Sequence, residues 1–283
     1  MTRTMSQSIK TDQSIAFIGA GNMASSIFGG LIEGGWPKGK IWATARSEAT
    51  LENVKKQFGV QVTLDNHQAV RQSEIVVLCV KPQMMKAVLQ DLAPTLKETK
   101  PLLISVAAGI SLDSLQAWCG SSLPVVRSMP NTPSLLRCGA SGLFASEQVN
   151  AEQKVITDTI FKAVGVTLWV DNEALIDSVI AVSGSGPAYY FLFMEAMTEM
   201  GVKLGLDQKT AEQLTLQTAL GAAKMAVCSD VDASELRRRV TSPGGTTEQA
   251  IRAFQAGGLE QLVEQAMQAA VDRAAEMTRQ LAD

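Results

Sequence analysis

The sequence predicts an α/β domain carried on a parallel sheet, followed by an all-helical domain. Three observations predict it. Between residues 14 and 174, short β-branched apolar runs alternate with longer polar or helical stretches, the pattern of successive βαβ units. From about Leu175 the strand-like runs stop, and alanine, leucine, methionine and glutamine recur at helical spacing. The chain of 283 residues amounts to about two domains at ~150 residues each. With 46% apolar and 19% charged residues, disordered and collagen-like classes are excluded.

The elements follow in order. Residues 1–13 (MTRTMSQSIKTDQ) are polar, lack the apolar stretch of a secretory signal, and are expected to be a frayed extension. Strands are expected at Ser14–Gly19, Lys40–Ala45, Val60–Thr63, Ile75–Val80, Leu102–Val106 and Val125–Ser128, with weaker ones at Ser141–Phe144 and Thr167–Val170. The runs IVVLCV and LLISV do not alternate, as suits central strands buried on both faces. Ser183–Tyr190 (SGSGPAYY) reads as a break in a helix, with Pro187 suited to the first turn of the part that resumes. Asp207 is placed to cap a helix whose apolar positions, Ala211, Leu214, Ala222, Ala223, Ala226 and Val227, are mostly small and admit a close neighbour. Thr246 and Gln249 are spaced as a capping box that starts another helix. The last helix carries Leu259, Leu262, Val263, Ala266, Ala270, Ala274, Met277 and Leu281 in one stripe. A domain confined to residues 175–283 with so many apolar stripes is expected to bury some of them against a second chain.

Charge and composition narrow the function. Lys and Arg total 25 against 28 acids, and the one basic run, Arg237–Arg239, is short, so no nucleic-acid footprint is indicated. The longest apolar stretch, Leu102–Ile110, is interrupted by Ser105 and Gly109 and falls short of the ~18 to 20 residues a membrane crossing needs. Four cysteines without a C-x-x-C pair fit a reducing compartment, and a cytoplasmic location is expected. With His67 as the single histidine, a zinc site or a Ser-His-Asp triad is hard to assemble, and no metal is expected.

The first strand runs into Gly19-Ala20-Gly21-Asn22-Met23-Ala24, a G-x-G-x-x-A turn that opens a helix. Gly19 permits the tight turn, Gly21 lets a pyrophosphate reach the backbone, and the helix N-terminus supplies free amides. The second strand ends in Thr44-Ala45-Arg46-Ser47, without the acid that accepts from an NAD ribose; hydroxyls and a guanidinium suit a 2′-phosphate, so NADP is favoured over NAD. A solvated turn in which Glu48 neutralises Arg46 is the alternative. Val80-Lys81-Pro82-Gln83 and Ala107-Ala108-Gly109 follow later strands at the crevice end of such a sheet, as cofactor borders or as plain helix starts. Asn66 is a candidate for the ribose, and its neighbour His67 reads as a surface residue. Asn131, between Pro130 and Pro133, serves either the crevice or a turn. Thr241-Ser242-Pro243-Gly244-Gly245-Thr246-Thr247 offers amides and hydroxyls to an anion, or is simply a well-capped helix start.

The stretches FIGAGNMA, VKPQ, MPNTP, SGSGPAY and TSPGGTTEQAI resemble, in content and in order, the motifs of the pyrroline-5-carboxylate reductases, which catalyse the last step of proline synthesis; the resemblance covers the chain from about Ser14. It implies a Rossmann dinucleotide-binding domain over residues 14–174 and a helical substrate-binding and dimerisation domain over 175–283, intertwined with a second subunit and often part of a larger ring of dimers. It implies that Ile18, Gly19, Ala20, Gly21, Asn22 and Met23 bind the pyrophosphate, Thr44, Arg46 and Ser47 the adenosine phosphate, and Asn66 the ribose. Val80, Lys81, Pro82, Val106, Ala107 and Ala108 would border the nicotinamide half. Glu173, Ser242, Gly245, Thr246 and Thr247 would form the substrate site; with Thr246 read as the helix cap, Thr247 is left as the catalytic hydroxyl expected to meet the ring nitrogen.

That chemistry suits a chain so poor in histidine. A cyclic imine becomes an electrophile once protonated on nitrogen, so hydride transfer from NADPH needs positioning more than a base or a metal. Two other readings stay open. One is an NADP-linked dehydrogenase of the β-hydroxyacid type, which relies on a lysine in the helical domain; Lys203, Lys209 and Lys224 lie there, but none in a motif context of that kind. The other is a non-catalytic NADPH-binding regulator.

Overall fold

The computed structural model describes residues 12–282, so the expected extension over residues 1–13 lies, apart from Asp12 and Gln13, outside the described residues. The first part of the chain forms β1 (Ile15–Ile18), α1 (Asn22–Glu33), β2 (Ile41–Thr44), α2 (Glu48–Phe58), β3 (Gln61–Thr63), α3 (Asn66–Arg71), β4 (Ile75–Leu78), α4 (Pro82–Thr99), β5 (Leu102–Ser105), α5 (Leu112–Cys119), β6 (Val125–Met129), β7 (Gly139–Ala145), α6 (Ala151–Lys162) and β8 (Gly165–Trp169). The strands join in one sheet of order β3-β2-β1-β4-β5-β6-β7-β8. Strand order reverses between β1 and β4, whose residues pair from Ile15 with Ile75 to Ile18 with Leu78. A switch point of this kind opens a crevice beyond the carboxyl ends of the strands.

The expectation of a parallel sheet is corrected at one junction, because β7 runs antiparallel to β6. Between them lies only a short 3-10 turn, Thr132–Leu136, which is too little chain for the crossover that parallel neighbours require. With α6 as a crossover, β8 returns parallel to β7.

Alternate residues of each strand feed opposite faces. Phe17 joins Ile27, Phe28, Leu31 and Phe161 on one face, while Ile18 joins Met85, Leu89, Leu92 and Leu115 on the other. Phe28 meets Phe17 and Phe58 edge-on, at 5.4 and 4.8 Å between ring centres. At Gly30 a Cβ would stand 2.5 Å from the carbonyl oxygen of Ala163, so α1 seats only because that side chain is missing.

The helical part comprises α7 (Leu175–Val179), a π-helical turn over Ile180–Gly184, α8 (Gly186–Lys203), α9 (Gln208–Cys228), α10 (Ala233–Arg239), α11 (Thr246–Ala256) and α12 (Leu259–Leu281). The helix break expected near Ser183 is thus a π turn, and Pro187 falls in the first turn of α8. Asp207 caps α9 by accepting from the Thr210 amide at 3.0 Å.

Two compact units result: one runs to Ser185 and takes in α12 from Ala270, and the other is Gly186–Ala269. The first therefore extends past the 174/175 boundary expected. The reason is packing on the sheet: Val179 lies over Gly142, where a Cβ would come within 2.6 Å of both its methyl groups. Asn131 adds a tie, since its Nδ2 donates to the Ser183 carbonyl at 3.0 Å and its Oδ1 accepts from the Ala140 amide at 2.9 Å.

Within the second unit α8 and α9 approach closely at Gly201, where a Cβ would be 3.2 Å from that of Ala211. Only Gly186, Ala211 and Thr215 are buried among its described residues. Tyr190, Phe191, Leu192, Leu214, Leu220 and Val227 stand exposed. On α9, Ala211 is covered by α8, whereas Ala222, Ala223 and Ala226 stand exposed.

Candidate active site

Four strand ends and the helices after them surround one cleft of about 790 Å³ at the switch point. After β1 come Gly19, Ala20 and Gly21; after β2, Ala45, Arg46 and Ser47; after β3, Leu64 and Asn66; after β4, Cys79, Val80 and Lys81. Gly19 has φ +99°, and a Cβ there would crowd the Cys79 carbonyl and a Val80 methyl at 3.1 Å, so the turn requires glycine. A Cβ on Gly21 would meet nothing within 4 Å, which leaves open space where a phosphate would approach the backbone. Gly21 lines the cleft and caps α1 without any side-chain bond, so a helix N-terminus whose first amides carry no side-chain cap begins at the cleft wall. These features fit a dinucleotide.

The remaining expected residues take distinct places. Thr44 is buried; its hydroxyl accepts from the Gly19 amide at 3.2 Å and its carbonyl from the Ala20 amide at 2.7 Å, so it shapes the glycine turn. Ser47 caps α2 and shares its hydroxyl with Thr50 at 2.9 Å on the rim of the cleft. Arg46 is exposed and makes no ion pair among the described residues, so the alternative in which Glu48 neutralises it is not what the structure holds. Met23 packs partly buried against the core, and neither it nor Asn22 lines the cleft. Pro82 opens α4 as its first residue. Val106 and Ala107 follow β5, held by donation from the Val106 amide to the Leu78 carbonyl at 3.2 Å and from the Ala107 amide to Ser105 Oγ at 3.3 Å. His67, expected at the surface, is instead partly buried between Thr95 Oγ1 at 2.7 Å and Asp91 at 3.3 Å, and ties α3 to α4.

Glu173 is already engaged. Its Oε1 accepts from the Leu112 amide and from Nη1 of buried Arg127, each at 2.6 Å. Asp177 follows one turn later, and burial pushes its carboxyl above the ordinary range, with Arg127 pulling it down and Glu173 pushing it up. Burial also drives the thiol of Cys79 far up and that of Cys119 to about 12, so neither is a nucleophile at neutral pH.

In the second unit, the turn Ser242–Gly245 closes by donation from the Gly245 amide to the Ser242 carbonyl at 3.0 Å, with Gly244 at φ +76°. The expected capping box is corrected: Gly245 is the N-cap and Thr246 the first residue of α11. The backbone of Gly245 is extended, which moves the frame by one residue, and Glu248 instead of Gln249 folds back, its Oε2 accepting from the Gly244 amide at 2.8 Å. Thr246 and Thr247 therefore both expose their hydroxyls beside first-turn amides that carry no side-chain cap.

Comparison with known proteins decides the family. A model of pyrroline-5-carboxylate reductase dimerisation matches residues 173–277, and one described as NADP oxidoreductase, coenzyme F420-dependent, matches residues 14–109. The pyrroline-5-carboxylate reductase of Pseudomonas aeruginosa is 57% identical over 267 residues, spanning 94% of this chain and 97% of that one. This chain belongs to the pyrroline-5-carboxylate reductases. Among solved structures, the reductase of Coxiella burnetii superposes with a TM-score of 0.92 at 47% identity, covering 95% of this chain and 99% of that one. The Plasmodium falciparum enzyme, solved with NADP bound, gives 0.82 at 29%, covering 94% and 98%.

Sequence reasoning overlooked part of this reductase's cleft. Thr50, Leu64, Met84 and Val88 also line it. Met84 and Val88 lie one turn apart on α4, a spacing that marks a shared helix face but does not say what faces it. Arg127 was overlooked as well. A charge inside the apolar run Val125–Met129 was the available signal, since a buried arginine requires a counter-charge.

Proposed function

We propose that this reductase converts 1-pyrroline-5-carboxylate to L-proline with NADPH, the cleft at the β1/β4 switch point holding the cofactor and the Ser242–Thr247 turn holding the substrate. The observation that carries the cofactor half is the uncapped α1 N-terminus behind Gly21, with Arg46, which makes no ion pair among the described residues, lining the same cleft. Ile18, Gly19, Ala20, Gly21, Asn22 and Met23 cradle the pyrophosphate with main-chain amides. Arg46, with Ser47 and Thr50, takes the 2′-phosphate, and Asn66 the ribose. Val80, Lys81, Pro82 and Val106–Ala108 border the nicotinamide half. When bound, NADPH supplies the hydride.

Substrate handling falls to the α11 N-terminus. The amides of Gly245 and Thr246, with Ser242, hold the carboxylate where the helix end favours negative charge. Thr247 turns its hydroxyl to the ring nitrogen and orients C5. Protonation of that nitrogen makes C5 electrophilic, and the reduced product keeps the proton as a secondary amine. Positioning supplies most of the rate.

The working unit is a dimer, matching the dimerisation model over residues 173–277. We extend this to a larger ring of dimers and to a cytoplasmic location, which four free cysteines support. The test is to follow reduced-nicotinamide absorbance with pyrroline-5-carboxylate and either NADPH or NADH. Turnover that is faster with NADPH is expected; NADPH binding without turnover would overturn the catalytic reading in favour of a regulator.

A further inference from the structure

We infer that the last turns of α12 act as a positioning latch on the loop after β5, the loop that carries Val106, Ala107 and Ala108. The inference rests on the proposed place of that loop beside the nicotinamide half. Its observation is a backbone-to-helix contact. Gly109 has φ +73°, and a Cβ there would stand 3.2 Å from Leu281 Cδ1 and 3.2 Å from Met277 Cβ. A loop glycine is thus seated directly on a helix more than a hundred and sixty residues further along the chain. Two requirements coincide at this position, a left-handed φ and the absence of a side chain, and only glycine meets both.

Leu281 packs against the cluster that holds Ala107 and Ile110, both buried. One side of the loop thus rests on its own sheet through Val106 and Ala107, and the other on the end of α12. Beyond the loop, the Leu112 amide is tied to Glu173. The position of Ala107 and Ala108 relative to the cleft is therefore set by side chains that follow the glycine-rich region by most of the chain's length. Met277 and Leu281 touch neither cofactor nor substrate in this account; they act through the loop, as positioning residues.

The experiment uses the full chain with Leu281→Ala. Removing the packing side chain should raise KM for NADPH by roughly five- to tenfold with kcat changed less than about twofold, because binding geometry is loosened and the chemical groups are untouched. Leu281→Met should restore most of the affinity. Hydrogen exchange gives the second readout: NADPH slows exchange over residues 106–110 and over the glycine turn, and Leu281→Ala loses the first protection while keeping the second. Unchanged KM with full protection at 106–110 overturns the latch. So does an equal loss at both places, which would mean general loosening. If NADPH gives the wild type no protection at 106–110 while protecting the glycine turn, the placement of the loop fails, and the latch with it. Should Leu281→Ala not fold, Leu281→Val is judged by the same two measurements.

Discussion

Arg127 donates through Nη1 to Oε1 of Glu173 at 2.6 Å, from a side chain 6% exposed to one 27% exposed. The same carboxylate oxygen accepts from the Leu112 amide, so one acid joins β6, the start of α5 and the chain leading into α7. Arg127 keeps its Nη2 buried without a partner among the described residues, which makes Glu173 its principal compensation.

The first prediction follows from that bond. Breaking a buried pair by removing one partner costs ~3 to 5 kcal/mol, and the partial exposure of Glu173 reduces this to about 2. Glu173→Ala should therefore lower the unfolding free energy by about 2 kcal/mol in denaturant titration, with Glu173→Gln milder. An unchanged midpoint together with a raised KM for pyrroline-5-carboxylate would show that Glu173 serves the substrate instead.

Asp177 makes the second. Its folded-state pKa is raised, so below the unfolded value both states are neutral and the residue contributes nothing; as pH climbs past that value, ionisation penalises the folded form more than the unfolded one. Asp177→Asn should raise Tm near about pH 7 and leave it unchanged near about pH 3. A lower Tm at neutral pH would mean that the charge is needed beside Arg127.

Arg46 should decide cofactor choice. A charge-assisted hydrogen bond to the 2′-phosphate is worth ~1.5 to 3 kcal/mol, so Arg46→Ala should weaken NADPH binding roughly ten- to a hundredfold and spare NADH. Equal losses for both cofactors in fluorescence titration would contradict the assignment.

Because Gly245, and neither threonine hydroxyl, occupies the cap of α11, the loss of either hydroxyl is read in turnover without a lost helix cap. Thr247→Ala should lower kcat/KM for pyrroline-5-carboxylate by roughly ten- to 150-fold at unchanged NADPH affinity. Thr247→Ser should be far milder. Thr246→Ala should leave Tm almost unchanged; a drop as large as a lost helix cap would show that its hydroxyl does cap α11 after all.

Ala222 and Ala223 sit on the uncovered length of α9, whose neighbour Val227 is 85% exposed in the single chain. Ala223→Glu should split or unfold the dimer, since a charge would be forced into an apolar contact. Sedimentation of the wild type as a folded monomer at micromolar concentration would remove the basis for this prediction.

What the sequence determined by itself was whatever neighbouring residues decide together. Eight strands lie where β-branched runs predicted them, the glycine turn opens α1, and Asp207 caps its helix. Periodicity, turn chemistry and capping act over a few residues and are legible without coordinates. The reverse direction of β7 was decided by the short connection before it, and the cap of α11 moved by one residue because the extended backbone ends at Gly245, before Thr246. The pairing of Arg127 with Glu173, 46 residues apart, and the seating of Gly109 on Leu281 were decided only by the tertiary structure. Such contacts depend on which side chains meet once the sheet has formed, and no local pattern records the meeting: an arginine in a strand calls for an acid, and a glycine for a close neighbour, without saying from where.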